Sequence, residues 1–300
     1  MHLNIFKGME RKPNWLKIKL EAGGEYANVK KIVEINKLHT ICSSGRCPNI
    51  GKCWNMGTAT FMILGDICTR NCKFCATKTG KPFPPDAAEI QKVAESVAVM
   101  RLKHCVITSV DRDDLSDKGA SFWAAVIRAI RAKNPQTLIE VLTPDFDNVD
   151  AYLNEVFAAK PDIFSHNMET VKRLSAQVRS RAKYELSLDV LRKSASKGLI
   201  TKSGIMVGLG ETEAEVKECL QDMRNAGCQM LTIGQYLQPA KTNLPVAEYI
   251  TPEQFEKYRL YGLEIGFESV ESAPLVRSSF MAERSFIESK ITHGVQHPQS

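Results

Sequence analysis

The sequence predicts an α/β fold, a partial (β/α)6 TIM-like barrel, and three observations carry that expectation. About six short runs rich in β-branched or large apolar residues alternate with amphipathic helical stretches. Such βα units in series build a parallel sheet with right-handed crossovers. The first run is followed by a cysteine-rich loop, and no glycine fingerprint of the kind that opens a doubly wound dinucleotide-binding sheet stands there. By order along the chain, that loop falls at the C-terminal end of its strand, where barrels gather their chemistry.

The elements follow in order. Residues 1–24 are mixed and polar, end in Gly23-Gly24, and read as an extension wrapped on a domain. Tyr26, Val29, Ile32 and Val33 then recur at helical spacing, so a helix delivers the chain to the first cysteines. Strands are expected at 60–64, 104–110, 137–142, 161–165, 204–209 and 230–235. Helix starts are legible where Asp86 precedes Glu89, Thr212 precedes Glu215, and Thr251 precedes Gln254 with Pro252 at the first helical position. In each pair the first side chain can satisfy free amides of the first turn, with a reciprocal partner three residues on. Stops stand at Lys160-Pro161, Gly198 and Gly227, and only the tail after Lys290 is a low-complexity polar tract.

Composition bounds the function. At 300 residues, 43% hydrophobic and 25% charged, the chain has the make-up of a globular protein able to bury a large core. A net charge of +6 without a dense basic run gives nucleic-acid binding little support. The N-terminus lacks the apolar core of a signal peptide and no segment approaches a membrane span, so a cytoplasmic location is the expectation. Thiols stay reduced there, and clustered cysteines then bind metal or do chemistry.

Six of the nine cysteines lie between residues 42 and 75 in two groups of three. Cys42, Cys47 and Cys53 are spaced C-x4-C-x5-C, and Cys68, Cys72 and Cys75 are spaced C-x3-C-x2-C. Structural zinc closes with four protein ligands, so each group is one short. Three thiolates can instead hold three irons of a [4Fe–4S] cluster and leave the fourth open. A zinc knuckle borrowing a ligand from elsewhere is the alternative, although the spacing lacks paired C-x2-C hooks. Cys105, Cys219 and Cys228 sit in apolar or helical contexts and read as packing residues.

The C-x3-C-x2-C triad, with Phe74 before its last cysteine, resembles the radical-SAM superfamily. Further motifs resemble the lipoyl synthases over nearly the whole chain: PNWLK (13–17), TATFMILGDICTRNCKFC (58–75), TSVDRDDLSDKGA (108–120), TPDF (143–146), HNMETV (166–171), TKSGIMVGLGET (201–212), TIGQYLQP (232–239), LPV (244–246) and PLVRSS (274–279). The resemblance implies an N-terminal extension (1–56) with an auxiliary cluster motif, a radical-SAM partial barrel (57–268) and a C-terminal extension (269–300), the two extensions together holding the auxiliary cluster. It further implies that Cys68, Cys72 and Cys75 bind the cluster that cleaves S-adenosylmethionine. Cys42, Cys47 and Cys53 would bind an auxiliary [4Fe–4S] cluster whose fourth ligand is Ser279.

The implied reaction inserts two sulfur atoms at C6 and C8 of a protein-bound octanoyl-lysine, using two S-adenosylmethionine and sulfur from the auxiliary cluster. The implied partners are an octanoylated lipoyl carrier domain (a 2-oxoacid dehydrogenase E2 subunit or the glycine cleavage H protein), a reducing electron donor and an iron–sulfur cluster carrier. No nucleic acid or membrane is involved, and a monomer is expected. Other radical-SAM sulfur insertion on a free small molecule is the rival activity, and a zinc-stabilised binding module the rival class.

Contacts to S-adenosylmethionine are expected from the 108–114 loop including Ser109, from Asn167 and Glu169, and from the backbone at Gly208 and Gly210. Arg277 is expected to hold the serine or neutralise the anionic cluster, and Arg179 and Lys202 are candidates for the methionine carboxylate. His166 reads as a structural hydrogen-bonder. The sequence departs from the family pattern at Phe280 and Met281, where tyrosine and histidine commonly follow R-S-S. It departs again at Asn243, where histidine precedes LPV, and at Ser165, where asparagine precedes HN.

Overall fold

A computed structural model describes residues 12–17, 23–56 and 58–279. Helix α1 (Gly24–Ile35) begins where the glycine pair ends and buries Val29, Ile32 and Val33, three of the residues whose spacing announced it. Strand β1 (His39–Thr40) and the short helices α2 (Ile41–Ser44) and α3 (Ile50–Asn55) follow. Trp54 on α3 stacks on Tyr26 of α1 with ring centroids 5.1 Å apart. This aromatic pair seats the first cysteine group against the helix that delivers it.

The barrel proper runs β2 (Thr60–Ile63), β3 (Ile67–Cys68), β4 (Lys78–Thr79), α4 (Ala88–Val99), β5 (His104–Ser109), α5 (Ala120–Lys133), β6 (Leu138–Leu142), α6 (Asp150–Ala158) and β7 (Ile163–Ser165). It continues with α7 (Lys172–Val178), α8 (Tyr184–Ser196), β8 (Ile200–Val207), α9 (Glu213–Asn225), β9 (Met230–Gln235), α10 (Pro252–Glu264) and β10 (Ser269–Ser272). The strands of the main sheet stand in the order β1-β2-β5-β6-β7-β8-β9-β10. Only β1 runs antiparallel to its neighbour; every other adjacent pair is parallel. The two ends of this sheet do not pair, which leaves a barrel open between β1 and β10.

The short strands β1, β3 and β4 were not expected, and two further differences bear on the barrel. Strand β8 starts at Ile200, four residues before the expected 204, because its polar residues are buried with partners inside the sheet. Ser194 and Thr201 share a hydrogen bond of 3.0 Å, and Ser203 donates to His166 O at 2.8 Å. Lys202 Nζ pairs with Glu140 Oε1 at 2.7 Å, both essentially inaccessible to water. Strand β10 was not expected at all; it adds a further parallel strand beside β9. Its sequence, Ser-Val-Glu-Ser, lacks the apolar run that marks a strand buried on both faces.

The helix caps divide. Thr212 and Glu215 form the reciprocal capping box, and Thr251 accepts from Gln254 N ahead of Pro252. Asp86 accepts from Ala88 N at 2.9 Å, but Glu89 turns away from it into the barrel wall, where it accepts from Leu64 N at 2.8 Å. Burial pushes the Glu89 carboxyl up to about 7. Cys105, Cys219 and Cys228 are fully buried packing residues, as their contexts suggested. Among the described residues no helix is long and apolar enough to cross a membrane.

The Glu140 carboxylate is shared between Lys202 and His104 Nε2, the latter at 3.2 Å. Replacing Lys202 by Met removes the cation and leaves a buried carboxylate with a single imidazole partner. The expected loss is about 3–5 kcal/mol, read as a lower urea midpoint with an unchanged slope.

Candidate active site

The loops that follow β2, β5, β6, β7 and β8 gather at the C-terminal ends of their strands, and the second cysteine group lies among them. Loop 68–75 is held from three sides. Leu64, with φ +69° at the end of β2, has its N–H accepted by Glu89 and its carbonyl contacted by Arg112 Nη1 at 3.2 Å. Thr69 N donates to Asp111 O at 3.0 Å, and Lys73 N to Val178 O at 2.9 Å.

The third anchor is Arg70, between the first and second cysteines, and the sequence reading passed it over. Its guanidinium donates two bonds of 2.9 Å to Asp113 and two of 2.9 and 2.8 Å to Asp145. Asp111 and Asp147 stand further off at 3.4 and 3.7 Å. Burial alone would raise the Asp145 carboxyl, but Arg70 holds it at about 2. An arginine inside the cysteine motif, matched by aspartates in both following loops, was the available signal for this knot.

Cys75 lies within electrostatic reach of both Cys68 and Cys72. Burial pushes Cys68 up to about 12 and raises Cys75. Backbone amides already point at the sulfurs: Arg70 N and Asp111 N toward Cys68 at 3.4 and 3.3 Å, and Thr77 N toward Cys75 at 3.4 Å. Cys72 Sγ is 3.5 Å from Ser180 Oγ. Such donors suit a thiolate, and hydrogen bonds to sulfur help set a cluster's potential.

The first group is built differently. Thr40 caps α2 and so sets Cys42, Cys47 N donates to Cys42 O at 3.0 Å, and Cys53 N to Asn49 O at 2.9 Å. Asn49 Nδ2 then donates to Leu275 O at 2.7 Å, and Thr60 Oγ1 to Ser279 Oγ at 2.9 Å, bonds that span 226 and 219 residues of chain. Cys42, Cys47, Cys53, Arg277 and Ser279 share the wall of one cavity of about 620 Å³. Burial raises all three thiols, Cys53 up to about 12, while the Arg277 charge works the other way on Cys47. Both triads offer soft donors in threes, and all nine cysteines are free of disulfides. Among the described residues no three His, Cys, Asp or Glu side chains converge as ligands of a single ion do. Three soft thiolates in each set fit a cluster, which takes one thiolate at each of several irons.

The remaining candidates divide. Glu169, at φ +66°, is half-buried, within electrostatic reach of Arg179 and Cys75, and partial desolvation raises its carboxyl. Ser109 ends β5 with a buried hydroxyl that has no partner. Asn167 donates to Ser278 Oγ at 2.8 Å and keeps its own carbonyl oxygen unpaired. Lys202 belongs to Glu140 and so is not free for a methionine carboxylate. A Cβ at Gly208 would meet Gln235 Nε2 at 2.1 Å and Glu248 O at 2.4 Å, so its φ of +97° and missing side chain serve the turn itself. Gly210 is also left-handed, at φ +104°, and a Cβ there would make only ordinary contact with Ala247 Cβ at 3.7 Å. His166 is structural: Nδ1 donates to Thr143 O and Nε2 accepts from Ser187, both at 2.9 Å, and burial lowers it to about 4. Phe280 and Met281 lie outside the described residues.

The profile of the Radical SAM superfamily matches residues 62–223. Lipoyl synthases of Bacteroides fragilis (strain YCH46) and Parabacteroides distasonis are 61% and 60% identical over 91% of this chain, and over 95% and 98% of their own lengths. The chain belongs to the lipoyl synthase family. The mitochondrial lipoyl synthase of Nematostella vectensis is 55% identical over 94% of the chain and 97% of its own length. Among solved structures, Streptococcus suis SuiB superposes with a TM-score of 0.57 at 8% identity, covering 76% of this chain and 53% of that one. Methylornithine synthase PylB superposes with a TM-score of 0.50 at 12% identity, covering 89% and 87%. These two likenesses speak for the fold. The chain is thus a radical-SAM sulfur-inserting enzyme of the lipoyl synthase family, with [4Fe–4S] clusters and S-adenosylmethionine as cofactors, and the zinc-stabilised binding module is set aside.

Arg70→Lys keeps the charge but loses the planar fork that serves Asp113 and Asp145 together. The expected loss is about 1.5–3 kcal/mol of stability, with total iron content below that of the parent as loop 68–75 loosens. Iron and sulfide analysis of the reconstituted variant checks this.

Proposed function

We propose that Cys68, Cys72 and Cys75 hold the cluster that binds S-adenosylmethionine, and that Cys42, Cys47, Cys53 and Ser279 hold the auxiliary cluster. The observation that carries this reading is the closure of the chain on itself. Ser279 is hydrogen-bonded to Thr60 and shares a cavity wall with the first three thiols, although 226 residues separate it from the last of them. On this reading residues 1–56 and 269–300 are extensions of a 57–268 barrel, and β10 draws the second extension into the sheet.

When bound, the clusters and S-adenosylmethionine supply an electron, a 5′-deoxyadenosyl radical and sulfur. The protein's part is placement. Arg70 and its aspartates orient the thiolates of loop 68–75, while the half-buried Glu169 carboxyl and the buried side-chain oxygens of Ser109 and Asn167 offer acceptors for the cofactor's amine and ribose. Arg277 is half-buried with its charge acting on Cys47, which counters the negative charge of three thiolates. A serine oxygen is a harder ligand than thiolate and suits iron less well, so a site closed by Ser279 releases that iron more readily than one closed by a fourth cysteine.

The substrate of this reading is an octanoyl-lysine on a lipoyl carrier domain, with sulfur entering at C6 and C8. Burying one methylene contributes roughly 0.8 kcal/mol, too little to select octanoyl by affinity. Chain length is therefore read from which carbon lies beside the radical. The carrier is a 2-oxoacid dehydrogenase E2 subunit or the glycine cleavage H protein, an electron donor and a cluster carrier serve the enzyme, and it acts in the cytoplasm as a monomer.

Cys68→Ala is expected to abolish deoxyadenosine formation. Cys42→Ala keeps deoxyadenosine formation and loses sulfur insertion. Chromatography of deoxyadenosine and mass spectrometry of an octanoylated carrier peptide after one turnover read the two outcomes, and two added sulfurs from both variants would show the assignment of roles to be wrong. Ser279→Ala is expected to lower auxiliary-cluster iron and product together; unchanged values would remove the serine from the ligand set.

A further inference from the structure

The connection between β9 and α10 is irregular, yet it is braced. Tyr236 donates its hydroxyl to Leu244 O at 2.7 Å, Gln238 Nε2 donates to Asn243 O at 2.8 Å, and Asn243 N to Ala240 O at 3.0 Å. Arg46, inside the first cysteine group, donates to Pro239 O at 3.1 Å, and Ala247 N to Gly208 O at 2.9 Å. From this support Asn243 Nδ2 reaches across to loop 68–75. It donates to Lys73 O at 3.1 Å and to Cys75 O at 2.9 Å, while Leu244 N adds a bond of 3.1 Å to Lys73 O. Phe74, between those two carbonyls, packs with Leu244 on the core formed by β8, β9 and the helices around them.

A carboxamide carries two N–H donors on one nitrogen, which matches two carbonyls that face it. A neutral imidazole, by contrast, offers one. The residue that marked a departure in the sequence is therefore engaged at the mouth of the site, on the backbone of the loop that carries the last two cysteines.

We propose that Asn243 is a positioning residue for the radical step: its carboxamide clamps segment 73–75, so that Cys72 and Cys75 present the bound cluster to S-adenosylmethionine in one orientation. The proposal rests on the assignment of loop 68–75 to that cluster. Without the clamp, the loop has to be ordered each time the cofactor binds, at a cost in backbone entropy.

The test uses the reconstituted full chain. S-adenosylmethionine binding is measured by equilibrium dialysis, and the electron paramagnetic resonance spectrum of the reduced enzyme is recorded with and without S-adenosylmethionine. Asn243→Ala, which removes both donated bonds, is expected to weaken binding about five- to a hundred-fold and to broaden the cofactor-induced spectral change. Asn243→Asp has the same size but sets acceptors against two carbonyls, so it is expected to bind more weakly than Asn243→Ala. Asn243→His, which keeps one donor, falls between parent and Asn243→Ala, and stands in should Asn243→Ala fail to hold iron.

A space-filling role would rank Asp beside Asn, and that order overturns the proposal. Binding by Ala and Asp variants within about two-fold of the parent overturns it as well. Cys72→Ala separates this failure from a failure of the underlying assignment: if the S-adenosylmethionine-responsive signal survives there, the loop is not the cluster's.

Discussion

The buried pairing of Arg70 with Asp113 and Asp145 is the constraint on which the site depends. A cysteine loop with nothing bound to it is a flexible connection, and three thiols are useful only if their backbone is already in place. Arg70 ties that loop to the ends of β5 and β6 at once, because its planar fork can bond two carboxylates in different directions. Taking the guanidinium out of water is costly, and only several aspartates together offset it. The strands set the loops, the aspartates on those loops hold Arg70, and Arg70 holds the thiols.

The second site depends on a longer reach. Strands β1 and β10 leave the barrel open, and the segment after β10 crosses that gap. Its last described residues divide their bonds between the two sites: Ser278 accepts from Asn167, beyond β7, and Ser279 accepts from Thr60, at the start of β2. Asn49 fastens the same segment to the first cysteine group through Leu275 O. The connection after β9 likewise touches both groups, through Arg46 and through Asn243. Each of the two cysteine groups is thus braced by chain that comes much later in the sequence.

Much of the fold was legible because parallel strands buried on both faces are continuous apolar runs, and most of the expected ones formed where spacing put them. The exceptions share one cause. Thr201, Lys202 and Ser203 look like solvent-facing residues, yet each finds a partner inside the barrel, and β10 has too few apolar residues to announce itself. Glu89 was misjudged in the same way: its place three residues after Asp86 suggested a cap, and a free amide at the end of β2 claimed it instead. Local pattern cannot reveal a polar partner supplied by a distant strand.

For the site, the amino-acid sequence alone determined the kinds of donor and their grouping, since thiolate spacing is a local property of a loop. It also carried the motifs that mark the family. Only the tertiary structure decided which polar side chains are committed to one another. Lys202 is taken by Glu140, Gly208 is needed by its own turn, and Asn243 and Ser279 are drawn to cysteine groups far from them in the chain. Hydrogen bonds and ion pairs act over a few ångströms of space, and strand order, not chain order, determines what falls within that distance.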